Sequence, residues 1–162
     1  MSELHRVRHW GEALVRLHLD ASWSFAFDNA KRRAGQCDYT RKRITVSRYL
    51  AARYEDDDNH QTLLHEVAHA LAGPDAGHGA RWKKIARELG YVGGVTHHGE
   101  TATELAPWIG TCPAGHIAYR HRAPTRATSC VTCAPRFDDR HLFDWRRREI
   151  STATRQAALT PR

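Results

Sequence analysis

The chain has 162 residues, of which 41% are apolar and 27% charged, a composition that fits a globular protein and excludes fibrous and wholly disordered classes. It holds no apolar run of the roughly 18 residues a membrane helix needs, and the opening MSELHRVRHWGE has no signal-peptide core, so a cytoplasmic protein is expected. The formal net charge is +7, but residues 1–104 set 15 Lys and Arg against 14 Asp and Glu, while residues 105–162 set 10 arginines against 4 acids. A basic segment of this kind favours a polyanion such as nucleic acid through phosphate neutralisation and counterion release, the plain alternative being a solvated cationic surface.

In chain order, residues 3–19 place Leu4, Val7, Leu14 and Leu17 at helical spacing. Trp23, Phe25 and Phe27 then alternate with small residues as in a half-buried strand, Gly35 breaks the chain, and Ile44 to Ser47 form a second strand. The acids Glu55 to Asp58 suit a helix N-terminus, where they cap free N–H groups and favour the dipole. A calcium loop would need a glycine and a downstream glutamate that are missing. From His60 to Ala72 the apolar residues keep helical spacing up to the Gly73-Pro74 stop, and a further helix from Ala80 to Leu89 turns Trp82, Ile85 and Leu89 inward. Pro107 opens a cysteine-bearing module closing near Pro135, and residues 139–159 read as a basic terminal helix.

The strongest chemical signal is His65-Glu66-Val67-Ala68-His69 inside the bounded helix. Histidines four apart share one helical face, so both imidazoles can reach one metal. A catalytic zinc takes three protein ligands and leaves a position for water, whose proton Glu66 is placed to accept. A metzincin would have glycine at 72 and histidine at 75, where this chain has Ala72 and Asp75. Gly77-His78-Gly79, nine residues beyond His69, offers the third ligand because its glycines let the backbone turn back. Asp75, His97 and His98 are the substitutes.

Trp23-Ser24-Phe25, Arg43-Ile44-Thr45-Val46-Ser47, Leu64-His65-Glu66-Val67-Ala68-His69-Ala70 and Gly77-His78-Gly79 followed by Trp82 resemble the SprT-like zinc metallopeptidases, the group that includes Spartan. The resemblance spans roughly residues 10–135. It implies His65, His69 and His78 as zinc ligands and Glu66 as general base. It also implies that a strand before the active helix, here 43–48, offers an edge on which an extended peptide binds through main-chain hydrogen bonds.

A second constellation, Cys112 with His116 and Cys130 with Cys133, looks like a zinc ribbon closed by four protein ligands and therefore structural. The first pair departs from the common C-x2-C, so His116 is the expected fourth ligand and His121 the fallback; a redox pair at Cys130 and Cys133 lacks the surrounding βαβ pattern. Between the pairs, Tyr119, Arg120, Arg122 and Arg126 place cations and an aromatic ring on one hairpin, a combination that pairs with phosphate and stacks on unpaired bases. In the SprT-like group the ribbon is associated with DNA binding. Cys37 stands apart and reads as a small, partly buried strand or turn residue, since its surroundings do not match the deformylase motif.

Together these readings give an α+β fold: a zincin-like metalloprotease domain over 1–104, a C-terminal zinc-ribbon-like module over 105–137, and a basic helix or tail over 138–162. The expected activity is that of a monomeric zinc-dependent endopeptidase with one catalytic and one structural Zn2+, acting on protein substrates near single-stranded or damaged DNA. The alternative is a non-hydrolytic, metal-stabilised DNA-binding protein.

Overall fold

The computed structural model describes residues 3–94 and 101–160. The chain divides into two compact units, Met1–Thr101 with Leu159–Arg162, and Ala102–Ala158.

The first unit opens with α1 (Glu3–His18), followed by β1 (Ser24–Asp28), β2 (Gly35–Asp38), β3 (Arg43–Ser47), the short α2 (Arg48–Ala51), α3 (Asp56–Ala72) and α4 (Ala80–Glu88). The inward face of α1 carries Val7 and Val15, 0% and 4% exposed, whereas Leu17 is 75% exposed. Leu17 therefore does not belong to the expected apolar stripe; Val15 falls one turn from Gly11 and takes that place.

The three strands form one sheet in the order β1-β3-β2. β3 runs parallel to β1 and antiparallel to β2. With a partner on each side, β3 has no free edge, so the expectation that residues 43–48 present one to a substrate is corrected. The edge on the antiparallel side belongs to β2, which sequence alone left undecided between strand and turn at Cys37. Its four residues, Gly-Gln-Cys-Asp, include no β-branched or aromatic side chain, so local propensity gave no strand signal.

α3 is buried from both sides. Leu63 and Val67 pack with Ile44, Val46, Phe25 and Val7 in one core. Leu64, Ala68 and Ala72 pack with Trp82, Ala86 and Tyr91 in another. This sandwiching, rather than amphipathicity, hides every residue from Thr62 to Ala68. The helix begins earlier than the apolar spacing implied, and its N-cap Glu55 makes no side-chain hydrogen bond to the helix. The three aspartates of the first turn favour the dipole, and Asp56 also accepts a hydrogen bond from the Arg6 guanidinium of α1 at 3.1 Å. Asn59, fully buried, holds the preceding loop by donating to the carbonyls of Ala51 (2.9 Å) and Tyr54 (3.1 Å).

In the second unit, β4 (Trp108–Thr111), β5 (Ile117–Arg120) and β6 (Asp144–Arg147) form an antiparallel sheet ordered β5-β4-β6, followed by α5 (Thr152–Ala157). The terminal helix expected over 139–159 is thus replaced by a 3-10 turn, a strand and a helix of 6 residues. The arginine run 146–148 lies in and just after β6, and residues 138–158 belong to the same compact unit as the cysteine module. Phe143 and Trp145, two residues apart, bring their rings within 5.5 Å of each other. Among the described residues no helix is long and apolar enough to cross a membrane.

Candidate active site

α3 sets His65 and His69 one turn apart, and the chain after its C-terminus brings His78 back to them. The reversal passes through Gly77 at φ +47°, a left-handed conformation that glycine adopts without steric cost. The three Nε2 atoms form a triangle with sides of 3.2 Å (His65–His69), 3.0 Å (His69–His78) and 3.1 Å (His65–His78). Tetrahedral zinc with Zn–N bonds of about 2.0–2.1 Å spaces its donors about 3.3 Å apart, so the triangle has the size of one face of such a site. Burial, and then the neighbouring His78, lowers the His69 pKa to about 4, which leaves its ring nitrogen unprotonated at neutral pH and able to donate to a metal. These three residues form one of two groups, among the described residues, that could hold a metal ion.

Trp82, 2% exposed, is the wall against which the triangle is built. Its ring centroid lies 4.7, 5.3 and 4.6 Å from those of His65, His69 and His78, and its indole N–H reaches the His65 carbonyl at 3.4 Å. An apolar wall of this kind fixes ring orientation and keeps water from the ligands. The sequence reading placed Trp82 in the core without foreseeing this contact. It also missed Tyr39, whose hydroxyl donates to the carbonyls of His69 (2.9 Å) and Gly73 (3.3 Å) and ties the end of β2 to the end of α3.

Glu66, 6% exposed, lies against β2. Burial pushes its carboxyl up to about 8, opposed by the Arg33 guanidinium and the Cys37 backbone N–H and assisted by Asp28. A dication held by the adjacent histidines would draw that value down again. Cys37, in β2, joins neither metal group; burial and Glu66 push its thiol up to about 12, so it remains protonated and packs against the core. Asp75 is exposed and lies outside the histidine group. His97 and His98 fall outside the described residues.

The second group unites Cys112, His116, Cys130 and Cys133. Cys112 and His116 bracket the β4–β5 turn, where the Cys112 N–H donates to the His116 carbonyl (3.1 Å). Cys130 and Cys133 form a tight turn in which the Cys133 N–H donates to the Cys130 carbonyl (3.2 Å). His116 Nδ1 lies 3.5, 3.6 and 3.3 Å from the sulfurs of Cys112, Cys130 and Cys133, and the Cys112 and Cys133 sulfurs are 3.8 Å apart. Zinc with bonds of about 2.3 Å to sulfur and 2.0–2.1 Å to nitrogen requires about 3.5 and 3.8 Å for these two kinds of pair. His116, not His121, is therefore the residue brought to the three thiols. Desolvation opposes the Cys130 thiolate, but the N–H groups of Cys133 and Thr132 and the neighbouring thiols outweigh it and hold the Cys130 pKa below its usual value.

The expected nucleic-acid residues separate. Tyr119 and Arg120 are successive in β5 and so turn to opposite faces of the sheet. Arg148 lies over the Tyr119 ring at 5.1 Å, and Arg120 over the Trp145 ring at 5.0 Å. The Arg148 guanidinium also donates to the carbonyls of Ala106 (2.8 Å), Thr103 (2.7 Å) and Glu104 (3.2 Å), so it closes the unit as much as it charges it. Arg122 and Arg126 are exposed in the loop after β5.

No curated protein and no solved structure matches the chain. The model of the SprT-like family matches residues 3–104, the stretch that contains the histidine triangle, Glu66, Trp82 and the edge strand β2, and the chain belongs to that family.

Proposed function

We propose that this protein is a zinc-dependent endopeptidase with a zincin-type centre, acting on proteins associated with DNA. The observation that carries the reading is a buried glutamate next in sequence to one of three histidines whose nitrogens converge within 3.2 Å. A purely structural metal site has no use for such a carboxylate. Zinc bound in this set supplies Lewis acidity and lowers the pKa of water into the neutral range. His65, His69 and His78 hold the metal, and Trp82 fixes the rings. Glu66 takes the proton of the attacking water and passes it to the departing amine.

The edge of β2 supplies a place for the peptide. Ser47 N–H donates to the Ala34 carbonyl at 2.8 Å, so in the antiparallel ladder Ala34, Gln36 and Asp38 turn their main chain toward β3. Gly35 and Cys37 then face theirs to the open side. A substrate strand added there is held by main-chain bonds, which tolerate many sequences.

The test is cleavage of an unfolded protein by chain loaded with two zinc ions, with and without single-stranded DNA. Glu66→Gln should abolish cleavage while zinc content stays at two; absence of cleavage by the fully loaded wild type under both conditions would refute the reading. A second reading, a metal-stabilised DNA-binding protein without hydrolysis, is favoured by the excess of arginine over acid in residues 105–162. It predicts DNA affinity that survives Glu66→Gln and falls steeply with salt.

A further inference from the structure

Gly35 is not a glycine that its backbone requires. The glycines at positive φ among the described residues are Gly73, Gly77, Gly90 and Gly115. Gly35 sits in the extended strand β2, a conformation open to any residue, and glycine is a poor strand former. What excludes a side chain is Glu66. A Cβ on residue 35 would stand 2.7 Å from Glu66 Cγ, 2.8 Å from its Oε1, and 3.0 Å from Thr62 Cγ2. Both residues are buried, so the carboxylate arm has little room to withdraw.

We propose that Gly35 is a positioning residue for Glu66: the edge strand β2 aims the general base, its missing side chain making room for the carboxylate arm. One strand thus both receives the peptide and orients the group that activates the water. In its catalytic part the inference rests on the peptidase reading. The contact itself does not.

The experiment is a double-mutant cycle on the full zinc-loaded chain with Gly35→Ala, Glu66→Ala and the double variant. Gly35→Ala should lower Tm by about 5 °C or more, the overpacking cost spread over a domain of this size. In the Glu66→Ala background, where the Cγ and Oε1 atoms are gone, the same change should leave Tm within about a degree. If Gly35→Ala alone fails to fold, recovery of a cooperative melt in the double variant is the expected result. An equal loss in both backgrounds would overturn the proposal, because the clash would then lie with Thr62 or the sheet. In kinetics, Gly35→Ala should lower kcat about tenfold or more, with KM within twofold and zinc still at two per chain. An unchanged kcat beside a positive thermal cycle would overturn the aiming of the base. A wild type without peptidase activity would overturn the peptidase reading and leave the thermal cycle to decide the contact.

Discussion

The buried Glu66 carboxyl costs stability once it ionises, and Glu66→Gln should make this measurable. In the folded chain its carboxyl titrates at about 8, against 4.5 for the unperturbed group. The folded state therefore holds a proton that the unfolded state has released, and stability contributed by the protonated form is lost as pH rises from about 4.5 through 8. At 1.36 kcal/mol per pKa unit the full loss is on the order of 5 kcal/mol, most of it accumulating between pH 5 and 8. Glutamine keeps the shape and carries no proton to lose. In chelator-treated protein, urea unfolding from pH 5 to 9 should show the wild type weakening relative to Glu66→Gln, so that the gap widens by several kcal/mol. Every other group is common to both proteins, so its contribution cancels in the difference. Parallel pH profiles would refute the argument, since they would mean that Glu66 is solvated enough to ionise at no cost. Added zinc should narrow the gap in the wild type, because the ion restores favourable charge beside the carboxylate.

Other perturbations separate the parts of the molecule. His78→Ala should reduce zinc measured by mass spectrometry from two ions per chain to one, whereas Asp75→Ala should leave two. Cys130→Ser should remove the other ion and expose residues 102–158 to limited proteolysis, with the histidine site still loaded. Leu63→Ala, at a side chain with no exposure between α3 and the sheet, should cost about 2–5 kcal/mol in chemical denaturation. Arg148→Ala strips hydrogen bonds from three carbonyls and should lower the stability of the second unit by about 1–3 kcal/mol, read by hydrogen exchange at Thr103 to Ala106.

The two donor clusters were legible because their spacing encodes geometry. Histidines four apart on one helix must share a face, and a glycine-flanked histidine beyond a helix stop can return to it. Cys112, His116, Cys130 and Cys133 were equally readable as paired turns. What sequence could not show was which strand is outermost: β3 looks like the better strand, and for that reason it is central, paired on both sides. β2 was hidden because Gly35 answers to the room that Glu66 takes rather than to strand propensity. Residues 139–159 read as a helix because the arginine run masked the alternation of Phe143 and Trp145, a signal that was present. Leu17 fitted a helical spacing that Val15 satisfies better. The split of Tyr119 from Arg120 follows from strand parity, visible only once β5 is known to be a strand.

The connection between β4 and β6 carries a consequence for how the second unit assembles. Its central strand meets β5 across a short turn, but β6 arrives about 30 residues later, a separation whose closure entropy a small unit must overcome. Every ligand of the thiol–imidazole group precedes β6 in the chain. A metal tying Cys112 to Cys133 leaves only about ten residues between the last ligand and the returning strand, so closure becomes nearly local. In the order of synthesis the whole donor set is therefore complete before the last strand of the sheet. A chain emerging into a metal-poor compartment would have its hairpin, but its final strand would be slow to dock.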